Sequence, residues 1–544
     1  MNRNLARVRG ELINLAFIFL CMLPVRAAGD AVWQYSVPAG YDPLRRAYLW
    51  IPEKCQHVRG IIIGIQNMLE QSIFEDPVIR QAATDTSLGI VWITPGDDNG
   101  DKASSFHKFN PPADIVQGVQ RLLADLAMES GYSEIENAPL LVTGHSAATP
   151  FVWGMDTNFD SERMIAIFPI KGWFGSRVTP GIPVFHIGSE YAEVGGEKWG
   201  ETYLKDRVPL QRLRGEGEDR LLGEFVDIGA GHFEWNPDAD KVIAMFIRKA
   251  VQLRLPAKAG EPLKTIDPKS GWLIDPGKLG TPDGKPVAAK DWPWDASKAF
   301  WYFDEEMARA VNDYMVAGLS KKPQVIDFLD DKGQPEPLAK GGNPVIPALL
   351  MDDGFTFKVA ATSLDKSPTV NLYDGVDVGH APGPILFKVG SSALKQTGPD
   401  TFRVWMRRGG VIPQGAPWEP WIIAWHPGND EFRRSDRPGR PRVTTYNKDG
   451  APQTIDFLHI NDLRAARTVQ LHATSDLALP IQFYVVSGPA ELSVDDNTTL
   501  KILPIPPRSK FPVKVIVGAY QWGRPVEPKV QTAWPVFQEF YIKR

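Results

Sequence analysis

Cysteine is nearly absent from this chain: Cys21 and Cys55 are the only two among 544 residues. Two thiols exclude a disulfide-stapled scaffold and a thiolate zinc cluster. A basic excess is missing as well. Sixty Lys and Arg stand against 65 Asp and Glu, for a net charge of -5, so nothing is set up to neutralise a phosphate backbone and nucleic acid is excluded as a partner. No His-Glu-x-x-His pair occurs, and the nine histidines are too scattered to make a recognisable ligand set. No Gly-rich phosphate loop follows the first strand pattern, so no nucleotide and no other cofactor or metal is expected. No apolar run approaches the ~20 residues that a membrane span needs.

The amino-terminal segment reads as an address. Arg3, Arg7 and Arg9 form a positive region, Leu12–Leu23 is apolar apart from Asn14, and Pro24 breaks the run ahead of Val25-Arg26-Ala27. Residues 1–27 therefore fit a secretory signal peptide, with an apolar run of about 12 residues that is short for an anchor. The expected location is exported, periplasmic or extracellular.

From 31 to 255 the pattern alternates between strands and helices. Strands are expected at Ala47–Ile51, Gly60–Ile65, Ile90–Thr94, Leu140–Thr143, Met164–Pro169, Pro183–Ile187 and Glu224–Ile228, several as continuous apolar runs of the kind buried on both faces. Ile115, Val119, Leu122, Leu123 and Leu126 fall at helical spacing within Ala113–Met128, and Asn236–Leu253 closes the unit with another helix. This predicts a mostly parallel sheet with helices on both faces. Residues 256–345 are rich in Pro, Gly and Lys, with one helix candidate at Glu305–Met315, and read as a linker or a wrapping subdomain. Beyond 346 short strands recur at Thr356–Ala360, Val370–Tyr373, Ile385–Val389 and Thr401–Met406. A second set follows at Thr454–Phe457, Thr468–Thr474, Pro480–Val486, Thr499–Leu503, Pro512–Tyr520 and Glu539–Ile542. The chain is thus read as multi-domain, with a β-rich domain over 346–435 and a β-sandwich over 440–544.

The sharpest local feature is the run Leu140–Ala148, in which a buried strand enters Gly144-His145-Ser146-Ala147-Ala148 and then a helix. A nucleophilic serine at such a turn is pushed clear of the sheet edge, and the residues two before and two after it must be small because they pack together. The following helix amino terminus favours developing negative charge. A serine also needs a base. His232, in Gly229-Ala230-Gly231-His232 between the last strand and the last helix, is the candidate. His145 is expected to point away from Ser146, and His186 lies inside an apolar strand. An acid that orients the imidazole should follow Pro183–Ile187, where Glu190 is the choice, with Glu193 and then Asp227 as alternatives.

This elbow, the late Gly-His and the chain order serine, acid, histidine resemble the α/β-hydrolases of the secreted esterase kind. Val486-Ser487-Gly488-Pro489-Ala490 and the strand Phe511–Tyr520 resemble bacterial immunoglobulin-like modules. The first resemblance implies an oxyanion hole, with the backbone N–H of Ala147 as one donor and Asn67 or Met68, in the loop after Gly60–Ile65, as the other, each worth about 3 kcal/mol.

Only about a dozen residues separate the sixth and seventh strand patterns, too few for a helical cap, so the site is expected to be open. Trp153, Trp173 and Trp235, with Phe174, Trp199 and Phe233, crowd the catalytic loops and offer faces for a sugar ring or another flat group. The resulting expectation is a secreted serine esterase acting on acetyl or methyl esters of a polysaccharide or other bulky substrate. The alternatives are a peptidase or acyltransferase built on the same site, and a non-catalytic glycan-binding protein.

Overall fold

The computed structural model describes residues 31–39, 46–94, 112–172, 174–190, 208–258, 260–335, 345–366, 377–391, 394–408, 420–443, 446–464, 468–493 and 496–544. The expected leader and strand Val370–Tyr373 lie outside these residues, as do Trp173, Glu193 and Trp199. Among the described residues no helix is long and apolar enough to cross a membrane.

The first half forms one eight-stranded sheet. Its strands are β1 (Tyr35–Pro38), β2 (Arg46–Trp50), β3 (Gly60–Ile65), β4 (Leu88–Ile93), β5 (Leu140–His145), β6 (Met164–Ile170), β7 (Val184–Ser189) and β8 (Leu222–Asp227), in the order β1-β2-β4-β3-β5-β6-β7-β8. β3 to β8 run parallel, while β2 pairs antiparallel with both β1 and β4. Every residue of β3 to β8 is buried, and β3, β4 and β6 read as unbroken apolar runs for that reason, while β5, β7 and β8 also bury Thr143, His145, His186, Ser189, Glu224 and Asp227. The cover comes from helices α1 (Glu70–Glu75), α2 (Pro77–Thr86), α3 (Pro112–Ser130), α4 (Thr149–Asn158), α5 (Val208–Arg214) and α6 (Pro237–Arg254), with α2 against α6 and α3 against α4. α6 starts where the chain dictates: the Asn236 side chain accepts from Asp238 N–H at 3.1 Å, and Pro237 follows with its φ already helical. The mostly parallel sheet expected over 31–255 is therefore present.

Register brings function into one row. His145 lies beside Ile170, and Ser189 beside Asp227, so β5 to β8 all end along one rim of the sheet. In open parallel sheets ligands bind outside this carboxyl edge.

Residues 256–345 are more than a linker. Three short strands, β9 (Trp272–Ile274), β10 (Val287–Ala288) and β11 (Phe300–Tyr302), make a small sheet, and helix α7 (Glu305–Leu319) follows. Tyr302 donates to the Glu224 carbonyl at 2.8 Å and α7 packs on β8, so this segment covers the sheet's last strand.

The β-rich part contains a four-stranded sheet in which Trp421–His426 lies between Leu386–Ser391 and Ser435–Pro441. The two strands Trp421–His426 and Ser435–Pro441 have no counterpart in the sequence reading. The second of them, Ser-Asp-Arg-Pro-Gly-Arg-Pro, has neither an apolar run nor apolar alternation. The final region holds two larger sheets, one centred on Val513–Gln521 and Ala533–Lys543 and antiparallel except where Leu463–Arg464 runs parallel to Ala533–Lys543, the other antiparallel and centred on Thr499–Ile502. The expected strand Thr468–Thr474 divides, its first half pairing with Thr499–Ile502 and its continuation Ala473–Ser475 with Ile455–Phe457. This last region is not loosely tethered. Trp33 forms a bridge to Gly488, and the Tyr35 hydroxyl pairs with Ser509 across 474 positions of sequence.

His186, in the middle of β7, is fully buried and stacked on Phe174 at 4.9 Å, and burial lowers its pKa to about 3. Between pH 6.5 and 3 only the unfolded chain takes up this proton, so the contribution of His186 to stability is lost as pH falls, at about 1.4 kcal/mol per pH unit. His186→Phe is expected to flatten this slope, measured as a smaller gap between urea midpoints at pH 7 and pH 4.5.

Candidate active site

Ser146 sits at the end of β5 with φ of +54°, a left-handed conformation that a non-glycine residue adopts only when its surroundings enforce it. Those surroundings are visible. A Cβ on Gly144 would lie 2.8 Å from the Ala148 carbonyl oxygen, and one on Gly172 would lie 2.7 Å from the Ser146 carbonyl oxygen. The small residues thus let the chain double back at Ser146, and α4 begins three residues later.

His232 lies in the turn between β8 and α6, with its Nε2 2.6 Å from Ser146 Oγ. The imidazole is only 6% exposed. Burial first, and the Lys171 charge second, lower its pKa to about 3. It is therefore neutral at ordinary pH, with a ring nitrogen facing the serine hydroxyl as acceptor.

The turn that carries His232 is pinned from several directions. The His145 ring lies 4.8 Å from that of His232, and its Nε2 bonds the His232 carbonyl oxygen at 2.8 Å. A carbonyl only accepts, so His145 carries its proton on Nε2, and Nδ1 is left to accept from the Asn67 side-chain amide at 3.3 Å. Burial holds the His145 pKa well below the usual range, which keeps this neutral form in place.

Lys171, directly after β6, was not singled out by sequence. It is fully buried, and its ammonium has three donors and three acceptors: Asp227 Oδ2 at 2.8 Å, the Gly231 carbonyl at 2.9 Å and the Glu234 carbonyl at 2.6 Å. Its φ of +43° is a second strained position on the same rim. A single cation thereby ties the residues on both sides of His232 to the end of β8. Asp227 also accepts from the Tyr314 hydroxyl of α7 at 3.0 Å and from Asn236 N–H at 3.3 Å. The one sequence signal was a lone Lys ending an apolar strand at the carboxyl edge.

Glu190, the favoured acid, is fully buried at the end of β7. One carboxylate oxygen accepts from Gly229 N–H at 2.7 Å, and the other is paired with Arg433 from the β-rich region. Its backbone N–H donates to the Ala230 carbonyl at 3.0 Å. Glu190 therefore grips the turn immediately before His232.

Glu70 is another residue that sequence did not flag. Its buried carboxylate accepts from Asn67 N–H at 2.7 Å, from Met68 N–H at 3.0 Å and from His145 N–H. Burial, opposed by these amides, raises its pKa to about 7. Both N–H groups suggested for the second oxyanion donor are thus directed at Glu70. A donor from this loop requires one of them to leave Glu70, or the Asn67 side chain to serve.

Two of the expected aromatic contacts are packing residues in this structure. Trp153 is 6% exposed and lies against Gly175, where a Cβ would meet its ring at 2.5 Å. Trp235 is 7% exposed, donates to Asp240 at 3.0 Å and carries the Lys171 ammonium 5.3 Å above its ring. Phe233 takes the place beside the base, edge-on to His232 at 4.4 Å and stacked on Trp421 at 5.1 Å. Among the described residues no group of three His, Cys, Asp or Glu is arranged to hold a metal ion.

No family model matches the sequence, and no curated protein does. Solved structures show likenesses over part of the chain. The Bacillus cereus carboxylesterase is 9% identical, covering 38% of this chain and 94% of its own, with a TM-score of 0.26. A cold-adapted esterase from an Arctic intertidal metagenomic library is 12% identical, covering 41% and 93%, with a TM-score of 0.26. Esterase PE8 is 14% identical, covering 40% and 99%, with a TM-score of 0.25. Likenesses this low carry nothing about activity, and the functional reading rests on the site.

Lys171→Met leaves Asp227 as an unpaired buried carboxylate, and breaking a buried pair in this way costs ~3–5 kcal/mol. Removing the cation also raises the His232 pKa, because a positive charge no longer opposes protonation. The expected outcome is a lower urea midpoint and a His232 titration displaced to higher pH, read from its imidazole resonances in a histidine-labelled NMR spectrum.

Proposed function

We propose that this chain is a serine esterase of the α/β-hydrolase type, working through Ser146 and His232 with Glu190 as the acid that positions the base. The observation that carries the reading is the 2.6 Å contact between Ser146 Oγ and His232 Nε2 at a strained strand-to-helix turn. In this reading His232 takes the hydroxyl proton as Ser146 attacks the ester carbonyl, then returns it to the departing alcohol. Water, activated by the same imidazole, releases the acyl group from Ser146. In the same reading the Ala147 N–H, next in the chain, is the donor to the oxyanion. Glu190 acts through the turn: by holding Gly229 N–H it fixes the approach of His232.

The substrate class we favour is an acetyl or methyl ester on a polysaccharide, handled outside the cytoplasm. Two features support it. Partly exposed Phe233 stands beside the imidazole, backed by Trp421, and offers an aromatic face to a sugar ring. The basic and apolar segment Arg3–Leu23 supports export.

The test is hydrolysis of a small chromogenic acetate by the protein and by Ser146→Ala. The variant is expected to lose at least about 10³-fold in kcat, as removal of a nucleophile does elsewhere. Because the base is held at about 3, activity should persist well below pH 6.5 and fall only as His232 takes up a proton. Undiminished turnover by Ser146→Ala would remove the reading. Acetylated and methyl-esterified polysaccharides then separate the two acyl possibilities.

A further inference from the structure

The β-rich sheet meets the first half of the chain at the turn that carries His232. Four contacts converge there from residues far along the chain. Arg433 forms a buried ion pair with Glu190, their side chains 6% and 0% exposed, and Glu190 in turn holds Gly229 N–H. The backbone of Arg434 lies directly on Gly229, where a Cβ would collide with the Arg434 carbonyl oxygen. Gly229, at φ of +82°, is thus needed both for its turn and for this close approach. Lys388 Nζ donates to the Trp235 carbonyl at 3.0 Å. Trp421 stacks on Phe233, the residue after the imidazole.

The segment that delivers these groups is itself braced. The Gln324 side chain donates to the Arg433 carbonyl at 2.7 Å and accepts from Ala381 N–H at 3.0 Å. The Arg434 guanidinium is bidentate on Asp436, at 2.7 and 2.8 Å, and lies 4.5 Å above the Trp425 ring. A braced arm ending in a buried charge is built to fix a position, and surface ion pairs do not offer that rigidity.

We propose that this β-sheet belongs to the catalytic unit, with Arg433 and Lys388 as positioning residues that set the His232 imidazole against Ser146. The inference rests on the esterase reading above. It differs from a role for the β-rich region in gathering substrate: substrate capture would change KM, whereas positioning of the base changes kcat.

The test uses the full chain and a small acetate ester that is too short to reach the β-sheet. Arg433→Gln is expected to lower kcat tenfold or more with KM unchanged within twofold. It should also move the His232 imidazole resonances in a histidine-labelled NMR spectrum. Lys388→Met, which removes a hydrogen bond to the Trp235 carbonyl and no close ion pair, is expected to lower kcat about threefold with the same signature. It decides the matter if Arg433→Gln does not fold. A folded Arg433→Gln with wild-type kcat and unmoved His232 resonances overturns the inference while leaving the esterase reading intact. So does a silent Lys388→Met beside an unfolded Arg433→Gln. Conversely, if Ser146→Ala keeps its activity the esterase reading falls, and the NMR arm still reports whether Arg433 holds His232.

Discussion

A buried ammonium governs the geometry of this site. Lys171 spends all three of its N–H groups inside the protein, on one carboxylate and two carbonyls, and the two carbonyls belong to residues flanking the base. A charge taken out of water is tolerable only when every donor is met and a counter-ion is at hand. The constraint therefore works in both directions: the turn must hold its shape to satisfy the lysine, and the lysine must stay buried to hold the turn. Asp227, Tyr314 and Asn236 extend the same requirement into the segment that covers β8.

Much of this was legible in the primary structure, for a physical reason. Strands buried on both faces have little choice but to be apolar, so Gly60–Ile65 and Met164–Ile170 announced themselves. The elbow was visible because it needs small residues at fixed offsets, and Gly144 and Ala148 are packed against each other as that need demands. His232 was visible because it follows the last strand of the parallel sheet.

The rest was hidden for equally physical reasons. Lys171, Glu70 and Arg433 are ordinary charged residues until the fold removes them from water, and sequence shows the charge but not the burial. Trp153 and Trp235 illustrate the converse: aromatic side chains in catalytic loops look like substrate contacts, yet here they fill space beneath the loops. The strand Ser435–Pro441 was invisible because its pairing is with neighbours in the middle of a sheet, and its own residues carry no alternation. Glu190 was found for its place after β7. That its second oxygen is spoken for by a residue 243 positions later could be read only in three dimensions.

That separation has a consequence in time. A chain emerging from the ribosome makes Ser146 early and His232 soon after, but the guanidinium that meets Glu190 arrives some two hundred residues later. Contacts of such high sequence separation form late, because loop closure must precede them. Ser146 is thus made long before the residues that complete the packing around the turn of His232. A nascent or truncated chain carries Ser146 and His232 without the buried pair between Glu190 and Arg433, so the finished geometry of this turn is a property of the completed molecule.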